Sequence, residues 1–239
     1  MKALVLNGYG DNRKLAIENR PKPSPGPNQI LIRVKNAGLN PLDFKIRSGK
    51  LRAIRKLKFP HIMGNEVAGT VEAVGEGVTK FKPKDIVYTR LDKGRMGGFA
   101  EFVAENERFV APAPNSVPIE VAAGIPLVAL TAWQCVVEVG KLNKNQKILV
   151  HGGAGSVGRY AIQFSKHIGA HVTATGNEPS RSLISDLGAD RFVDYRKEKF
   201  ECIGEKFDLV LDLVGADTLD RSFLVVREGG QVISIAGKP

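Results

Sequence analysis

Apolar positions follow two different rhythms along the chain, and the change comes near residue 124. Before it, they fall in short β-branched runs bounded by turn residues. Ile30-Leu-Ile-Arg-Val34 and Val67-Ala-Gly-Thr-Val-Glu-Ala-Val74 read as strands, with Gly97-Gly-Phe-Ala-Glu-Phe-Val103 as a further candidate. The opening Met1-Lys-Ala-Leu-Val-Leu-Asn-Gly8 also reads as a strand, because its apolar run is too short and too soon broken for a signal peptide. Pro21, Pro23, Pro25 and Pro27, then Gly75, Gly77 and Pro83, are turn punctuation. Residues 1–123 therefore read as one β-rich barrel or sandwich domain.

From residue 124 the pattern alternates. Leu127–Val139 reads as a buried helix, and apolar strands at 148–150, 171–175, 191–193, 207–212 and 231–235 are separated by helical stretches. This order predicts a second domain over 124–239, a doubly wound parallel α/β sheet.

The stretch Lys147-Ile-Leu-Val-His-Gly-Gly-Ala-Gly-Ser-Val-Gly158 is the most specific signal in that half. An apolar strand runs into Gly153, Gly155 and Gly158, and a helix pattern follows through Val157, Ala161, Ile162, Ser165 and Ile168, closed by Gly169. In a strand–loop–helix–strand unit of about thirty residues, such glycines serve a tight turn, a close approach to phosphate and close helix–strand packing. The helix start, Ser156 and Val157, offers free N–H groups to a pyrophosphate. Ala154-Gly-Ser-Val-Gly158 also nearly matches the G-x-S-x-G elbow of serine hydrolases. Only His167 and His171 lie beyond Ser156, both inside this first unit, so no later histidine completes a triad.

Composition adds less. With 239 residues, 43% hydrophobic and 25% charged, the chain is an ordinary globular one with one large or two modest domains. No apolar run reaches membrane-spanning length. Two cysteines, Cys135 and Cys202, make no disulfide framework, which points to a reducing cytoplasm. The formal charge is +10, densest from Lys45 to Lys58, where Lys45, Arg47, Lys50, Arg52, Arg55, Lys56 and Lys58 meet no acid. A solvated basic loop and attraction of an anionic cofactor or substrate both remain open. Nucleic-acid binding lacks support, since no aromatics interleave the charges.

The two halves, in this order, resemble the medium-chain dehydrogenase/reductase superfamily, and more closely its zinc-free quinone oxidoreductase and enone reductase branch. The motifs that carry the resemblance are Ala37-Gly-Leu-Asn-Pro-Leu-Asp43, Arg47-Ser-Gly49, Gly64-Asn-Glu-Val-Ala-Gly-Thr-Val71, Gly98-Phe-Ala-Glu-Phe-Val103, Ala123-Gly-Ile-Pro-Leu-Val-Ala-Leu-Thr-Ala-Trp133, the glycine loop, and Leu187-Gly-Ala-Asp190 with Val193-Asp-Tyr195. The resemblance implies a GroES-like catalytic domain at 1–123 and a Rossmann dinucleotide-binding domain at 124–239. Zinc-dependent relatives carry a cysteine where this chain has Asn40, and a histidine before glutamate where it has Asn65-Glu66. The short Arg90–Gly97 segment replaces their four-cysteine zinc lobe. No metal site is expected, and His61 and His151 read as structural.

What remains is hydride transfer from a nicotinamide to a quinone or to the β-carbon of an α,β-unsaturated carbonyl. Charge then develops on the carbonyl oxygen and needs donors. By resemblance Asn40 sits where nicotinamide and substrate meet, and its amide could donate; a turn-forming Asn before Pro41 is the other reading. Lys93, in the segment expected to overhang the cleft, is either a second donor or a solvated lysine. Asp43 is expected to fix the loop. Leu51 stands where many relatives have a tyrosine, so no general acid is identified.

For the cofactor, the tip of the second parallel strand is Gly176-Asn177, with Glu178 too late to hold a ribose 2′-OH. Small polar residues there leave room for a 2′-phosphate, with Arg181 as a charged partner or an ordinary surface residue, so NADP(H) is expected. By resemblance Thr131, Tyr195, Val214, Gly215 and Ala236 also line the cofactor cleft. Five parallel strands are readable where the full fold has six, so the second domain reads as truncated after strand five. Its free edge offers a route to a homodimer. The competing expectation is a fragment that binds NADP(H) without turnover.

Overall fold

Residues 1–237 are described in the computed structural model. Lys238 and Pro239, the end of the run-out expected after strand five, lie outside the described residues. The chain divides into two units, Met1–Leu127 and Val128–Pro239.

Unit 1 runs through β1 (Lys2–Leu6), β2 (Leu15–Asn19), β3 (Gln29–Ala37), α1 (Pro41–Arg47), β4 (His61–Ile62), β5 (Glu66–Val74), β6 (Ile86–Arg90), β7 (Phe102–Asn106), β8 (Val110–Pro112) and α2 (Ile119–Ala122). Five of these strands form an antiparallel sheet in the order β7-β3-β5-β6-β8, and three form a second in the order β2-β1-β4. Alternation along β3 and β5 sends Ile30, Ile32, Val67 and Val71 to one buried layer with Val87, Leu91, Val103 and Val110. Each such side chain contributes about 1.5–3 kcal/mol by leaving water. A second layer of Leu6, Ile46, Leu57, Met63 and Met96 seats α1 and the segment after β6. Ile46 is the inward residue of α1, and Met96 the inward residue of the segment.

The strand expected at Gly97–Val103 begins later, at Phe102. Residues 99–101 are drawn aside instead. Phe99 donates its N–H to Met63 O at 2.8 Å and accepts from Leu4 N–H at 2.8 Å, while Glu101 N–H reaches Lys2 O. Those bonds tie the stretch to β1 and to the turn before β5, and it meets β3 first at Glu101, whose carbonyl accepts from Val34 N–H at 2.9 Å.

Helix α3 (Pro126–Trp133) begins with the last two residues of unit 1 and passes into a π-helical stretch, Gln134–Val139, in unit 2. Then follow β9 (Lys147–Val150), α4 (Ser156–Ile168), β10 (His171–Gly176), α5 (Arg181–Asp186), β11 (Arg191–Asp194), β12 (Phe207–Asp212), α6 (Asp217–Ser222) and β13 (Val226–Ser234). All five strands are parallel, in the order β11-β10-β9-β12-β13. Helix α4 buries Ala161, Ile162 and Ser165 and ends on Gly169, whose φ of +87° makes a left-handed C-cap. Ile148, Val150, Val172, Ala174 and Leu211 face that helix, while Leu149, Val193, Phe207 and Val210 form the layer on the other side.

Two expected elements differ in detail. The helix at 127–139 is not buried throughout, since Leu130, Trp133 and Val139 are exposed. The last strand starts at Val226 rather than 231: Phe207 pairs with Val226, the register then jumps, and pairing resumes at Leu209 with Gln231. Arg227–Gly230 bulges out of the ladder, and its glycines hide this start from an apolar-run reading. The strand remains on the edge of the sheet.

Candidate active site

In unit 2, β9 turns into α4 through Gly152, whose φ of +69° lies in the left-handed region. The tight turn expected of Gly153 thus belongs to Gly152. Gly153 instead packs on the sheet, where an added Cβ would lie 2.9 Å from Ala174 Cβ. At Gly158 a Cβ would lie 2.4 Å from Gly152 O and 2.9 Å from Gly153 Cα, so the loop closes onto its helix only because no side chain intervenes. Gly155 is the N-cap of α4 and supplies no side-chain cap. The N–H groups of the first turn, Ser156 to Gly158, therefore lack intrahelical partners at the positive end of a 13-residue helix. Gly155 and Ser156 are exposed, and Val157 is half-buried. This is a cradle that fits a pyrophosphate.

Side chains behind the loop hold neighbouring strand ends. Thr175 Oγ1 accepts from Gly152 N–H at 3.2 Å and lies 3.3 Å from His151 Nδ1. His151 is 1% exposed, meets Phe200 edge-on at 4.5 Å, and leaves Nε2 without a partner. Burial holds its pKa down to about 4 despite the nearby Asp212 carboxylate, so it is neutral at neutral pH. Buried Asp212 accepts from Val214 N–H at 3.0 Å, from Gly215 N–H at 2.9 Å and from Ser234 Oγ at 2.7 Å. Ser234 Oγ in turn accepts from Ala236 N–H at 3.3 Å. Three expected cofactor residues, Val214, Gly215 and Ala236, are thus brought together by Asp212, which motif reading passed over.

The tip of β10 lies in register with the tip of β11, Gly176 opposite Asp194. Glu178 stands between Arg181, which donates from Nε at 2.6 Å, and Lys197, whose Nζ is 3.0 Å away. These cations hold the Glu178 pKa at about 2. Arg181 also lies over the Phe192 ring at 4.3 Å, and Arg196 over the exposed Tyr195 ring at 5.7 Å. Two cations, Arg181 and Lys197, therefore hold Glu178 beside half-buried Asn177, and Lys197 also lies 3.9 Å from Asp194. Lys197 and Arg196 were missed in the sequence, although their place directly after a strand that neighbours β10 in a 3-2-1 order was a usable signal. Thr131 lies half-buried on α3.

In unit 1, Asn40 precedes α1 in extended conformation, with Pro41 as the first helical residue. Asp43 Oδ2 accepts from the Asn40 backbone N–H at 2.8 Å, and Asp43 Oδ1 accepts from Asn65 Nδ2 at 2.7 Å. Asp43 thus fixes the loop, as expected. The Asn40 side chain does more than form a turn, since its Nδ2 donates to Glu66 Oε1 at 2.6 Å. Glu66 Oε2 accepts from Leu127 N–H at 2.7 Å. Asn65 and Glu66 are fully buried, and Asn40 is 5% exposed. Burial pushes the Glu66 and Asp43 carboxyls above their ordinary range, against the pull of the donors on each.

The basic loop is not wholly solvated. Half-buried Arg55 donates from Nη1 to Asn65 Oδ1 at 3.3 Å and from Nη2 to the Lys93 carbonyl. Desolvation lowers its pKa, and Asp43 and Asp92 oppose that shift. The Lys93 side chain itself is exposed. Among the described residues, no three His, Cys, Asp or Glu side chains form a group that could hold a metal ion.

Comparison with known proteins is consistent with both halves. Residues 26–115 match the alcohol dehydrogenase GroES-like domain family, and residues 156–239 the zinc-binding dehydrogenase family. The chain is 39% identical to the mitochondrial NAD(P)H oxidoreductase RTN4IP1 of Danio rerio over 91% of its own length and 62% of that protein's. It is 34% identical to a chloroplast envelope quinone oxidoreductase homolog of Arabidopsis thaliana, over all of this chain and 76% of the relative. The chain belongs to the medium-chain dehydrogenase/reductase superfamily, in its quinone and enone oxidoreductase branch. A superfamily structure from Novosphingobium aromaticivorans, an alcohol dehydrogenase superfamily protein, superposes with a TM-score of 0.91 at 35% identity, covering 99% of this chain and 73% of that one. The chain spans little more than three fifths of the length of several curated relatives, 62% of the first. In this member of the superfamily, Asn40 and Asn65 each donate to a buried carboxylate, Glu66 and Asp43 respectively.

Proposed function

We propose that the protein is an NADPH-dependent oxidoreductase that reduces a quinone or an α,β-unsaturated carbonyl without a metal ion. The observation that carries the reading is the loop Gly152–Gly158, closed by side-chain-free contacts and opening onto the uncapped start of α4. Gly153, Gly155, Ser156, Val157 and Gly158 hold the pyrophosphate. Gly176 and Asn177 leave room for a 2′-phosphate, which Arg181 and Lys197 bind in place of Glu178; a phosphate carries more charge than the carboxylate it displaces. The Tyr195 ring and the Val214, Gly215, Ala236 and Thr131 positions border the rest of the dinucleotide.

When bound, the reduced nicotinamide supplies a hydride. Asn40 has spent one N–H on Glu66, and its second N–H donates to the carbonyl oxygen on which negative charge develops. Glu66 holds the amide in that orientation. Exposed Lys93 is a second donor or a solvated residue, and water supplies the proton. Amide side chains that donate to carboxylates are poor zinc ligands, which supports metal independence despite the name of the matched family. Two free cysteines, one buried and one exposed, suit a reducing compartment. The edge strand β13 offers a pairing surface for a second copy.

The test measures NADPH and NADH affinity by calorimetry, then turnover with a small benzoquinone and a small enone, with and without a chelator. Tighter NADPH binding and chelator-insensitive turnover are expected. Binding without turnover would support a dinucleotide-binding piece instead, and no binding would overturn both readings. A light-scattering mass of one chain would reject the dimer.

A further inference from the structure

Lys93 and Leu127 stand at opposite ends of one continuous chain of hydrogen bonds inside unit 1, with Asn40 along it. It runs from the Lys93 carbonyl to Arg55 Nη2, from Arg55 Nη1 to Asn65 Oδ1, and from Asn65 Nδ2 to Asp43 Oδ1. It continues from Asp43 Oδ2 to the Asn40 N–H, and from Asn40 Nδ2 through Glu66 to Leu127 N–H. Arg55 is the one cation in this chain; Leu91 N–H, at the base of the segment after β6, also donates to the Asn65 carbonyl at 2.9 Å, and Arg55 alone reaches the apex.

That segment is anchored at its two ends. Asp92 N–H donates to Glu105 Oε2 at 2.7 Å, and Met96 is buried with its N–H on Asp92 O. Between them, Gly94 and Arg95 are bonded only to Asp92. The Lys93 carbonyl at the apex is held by Arg55. The guanidinium faces Asp43 and Asp92, which attract it, and Arg90, which repels it. Its planar fork reaches two acceptors at once, which a lysine ammonium on a flexible stem cannot reproduce.

We propose that Arg55 is a positioning residue: it straps the Leu91–Gly97 segment to the Asn65–Asp43–Asn40 chain, so that the segment and the Asn40 amide hold one arrangement together. On the functional reading above, this sets the seat of the flat carbonyl acceptor and leaves dinucleotide binding alone. Removing the guanidinium frees the apex and leaves Asn65 Oδ1 buried without its donor.

The test compares the full chain with Arg55→Ala, Arg55→Lys and the control Arg52→Ala, whose side chain is exposed on the same loop. Hydrogen exchange of the 91–97 amides should rise about tenfold in Arg55→Ala, the factor that one charged hydrogen bond is worth. The Asn40 side-chain amide signal should shift in the nitrogen–proton spectrum. Guanidinium added at millimolar concentration should reverse both changes, and Arg52→Ala should show neither. Arg55→Lys keeps the charge and stem, so it serves if the alanine variant fails to fold, and there too the segment should exchange faster. Unchanged exchange, or faster exchange with an unmoved Asn40 signal, would overturn the coupling. In turnover, Arg55→Ala should raise KM for the acceptor about tenfold with kcat and NADPH affinity within about twofold. If the wild-type chain proves inactive, the functional reading fails, while exchange and the Asn40 signal still decide the strap.

Discussion

The glycine loop of unit 2 and the polar chain of unit 1 are two opposite ways to build a site. In the loop, backbone amides do the binding and side chains are kept out; Gly158 tolerates no Cβ within 2.4 Å of Gly152 O. In unit 1, five side chains, Asn40, Asp43, Arg55, Asn65 and Glu66, are joined by hydrogen bonds, four of them buried and Arg55 half-buried. The first design is contiguous in sequence and neutral. The second joins distant residues and carries charge that burial opposes. The difference predicts that unit 1 should fail when a partner is displaced, and that unit 2 should fail when bulk is added or when its one buried imidazole is charged.

The largest effect is expected from Gly38→Ala in unit 1. The new Cβ would lie 2.1 Å from Glu66 Oε1 and 2.6 Å from its Cδ, so the carboxylate must leave its place between Asn40 and Leu127. Each lost hydrogen bond to a charged group costs about 1.5–3 kcal/mol, and two are lost here. Amide exchange in β5 should speed up accordingly, while that of β9 and β10 in unit 2 should stay unchanged. A loss below about 1 kcal/mol would show that Glu66 is not fixed, and the contrast between the units would fall. The raised Asp43 and Glu66 values also set a sign. Their folded forms hold protons more tightly than the ordinary carboxyls, at 3.8 and 4.5, do in the unfolded chain. The stability they contribute is therefore present at acid pH and lost as pH rises through the folded values.

His151 in unit 2 carries the opposite sign. Its folded pKa of about 4 lies below the ordinary 6.5, so the unfolded chain binds the proton first. Stability is full above pH 6.5 and is lost as pH falls through the folded value, by about 3 kcal/mol at 1.36 kcal/mol per pKa unit. Asp212 and Glu201 favour the imidazolium and Arg221 opposes it, but burial outweighs all three. Urea denaturation followed by Trp133 fluorescence should show this loss between pH 6.5 and 4. In His151→Gln the window should flatten; an equal slope in the variant would assign the acid sensitivity to other groups.

The same contrast explains what could be read from the residues alone. Helix α4 was legible because its limits are local: glycine before it, Gly169 after it, and helical spacing between. β12 was legible from its apolar residues, Phe207 and Leu209–Leu211, with the observed bounds. The unit 1 site was only half legible. Asn40 and Asp43 stood in a motif, but Arg55 lay in a charge run whose other members gave no sign of burial, and its partner Lys93 is 38 residues on. Glu66 and Leu127 are 61 residues apart. Such pairs are specified by the fold of the sheet, and no local period announces them. Lys197 and Gly152 were missed for a smaller reason: Lys197 sits two residues past the Val193–Tyr195 motif, and Gly152 one residue before the Gly153 that opens the glycine spacing.

The smallest effect should come from Gly158→Ala, the matching insult to unit 2. Only one methyl is added, and it points into the loop's own backbone, 2.4 Å from Gly152 O and 2.9 Å from Gly153 Cα. The loop can respond by lifting away from α4, since Gly155 and Ser156 are exposed and no buried charge is stranded. Overpacking of this kind costs about 1–3 kcal/mol. Because the loop is where the pyrophosphate is proposed to bind, most of that cost should appear as weaker dinucleotide affinity, about tenfold to a hundredfold by calorimetry. Trp133 denaturation should move little, and the β5 amides not at all. If Gly158→Ala instead unfolds unit 2 while the remaining folded fraction binds dinucleotide normally, the loop's close contacts serve the packing of α4 on the sheet. The backbone-built site would then be as dependent on its interior as the side-chain-built one.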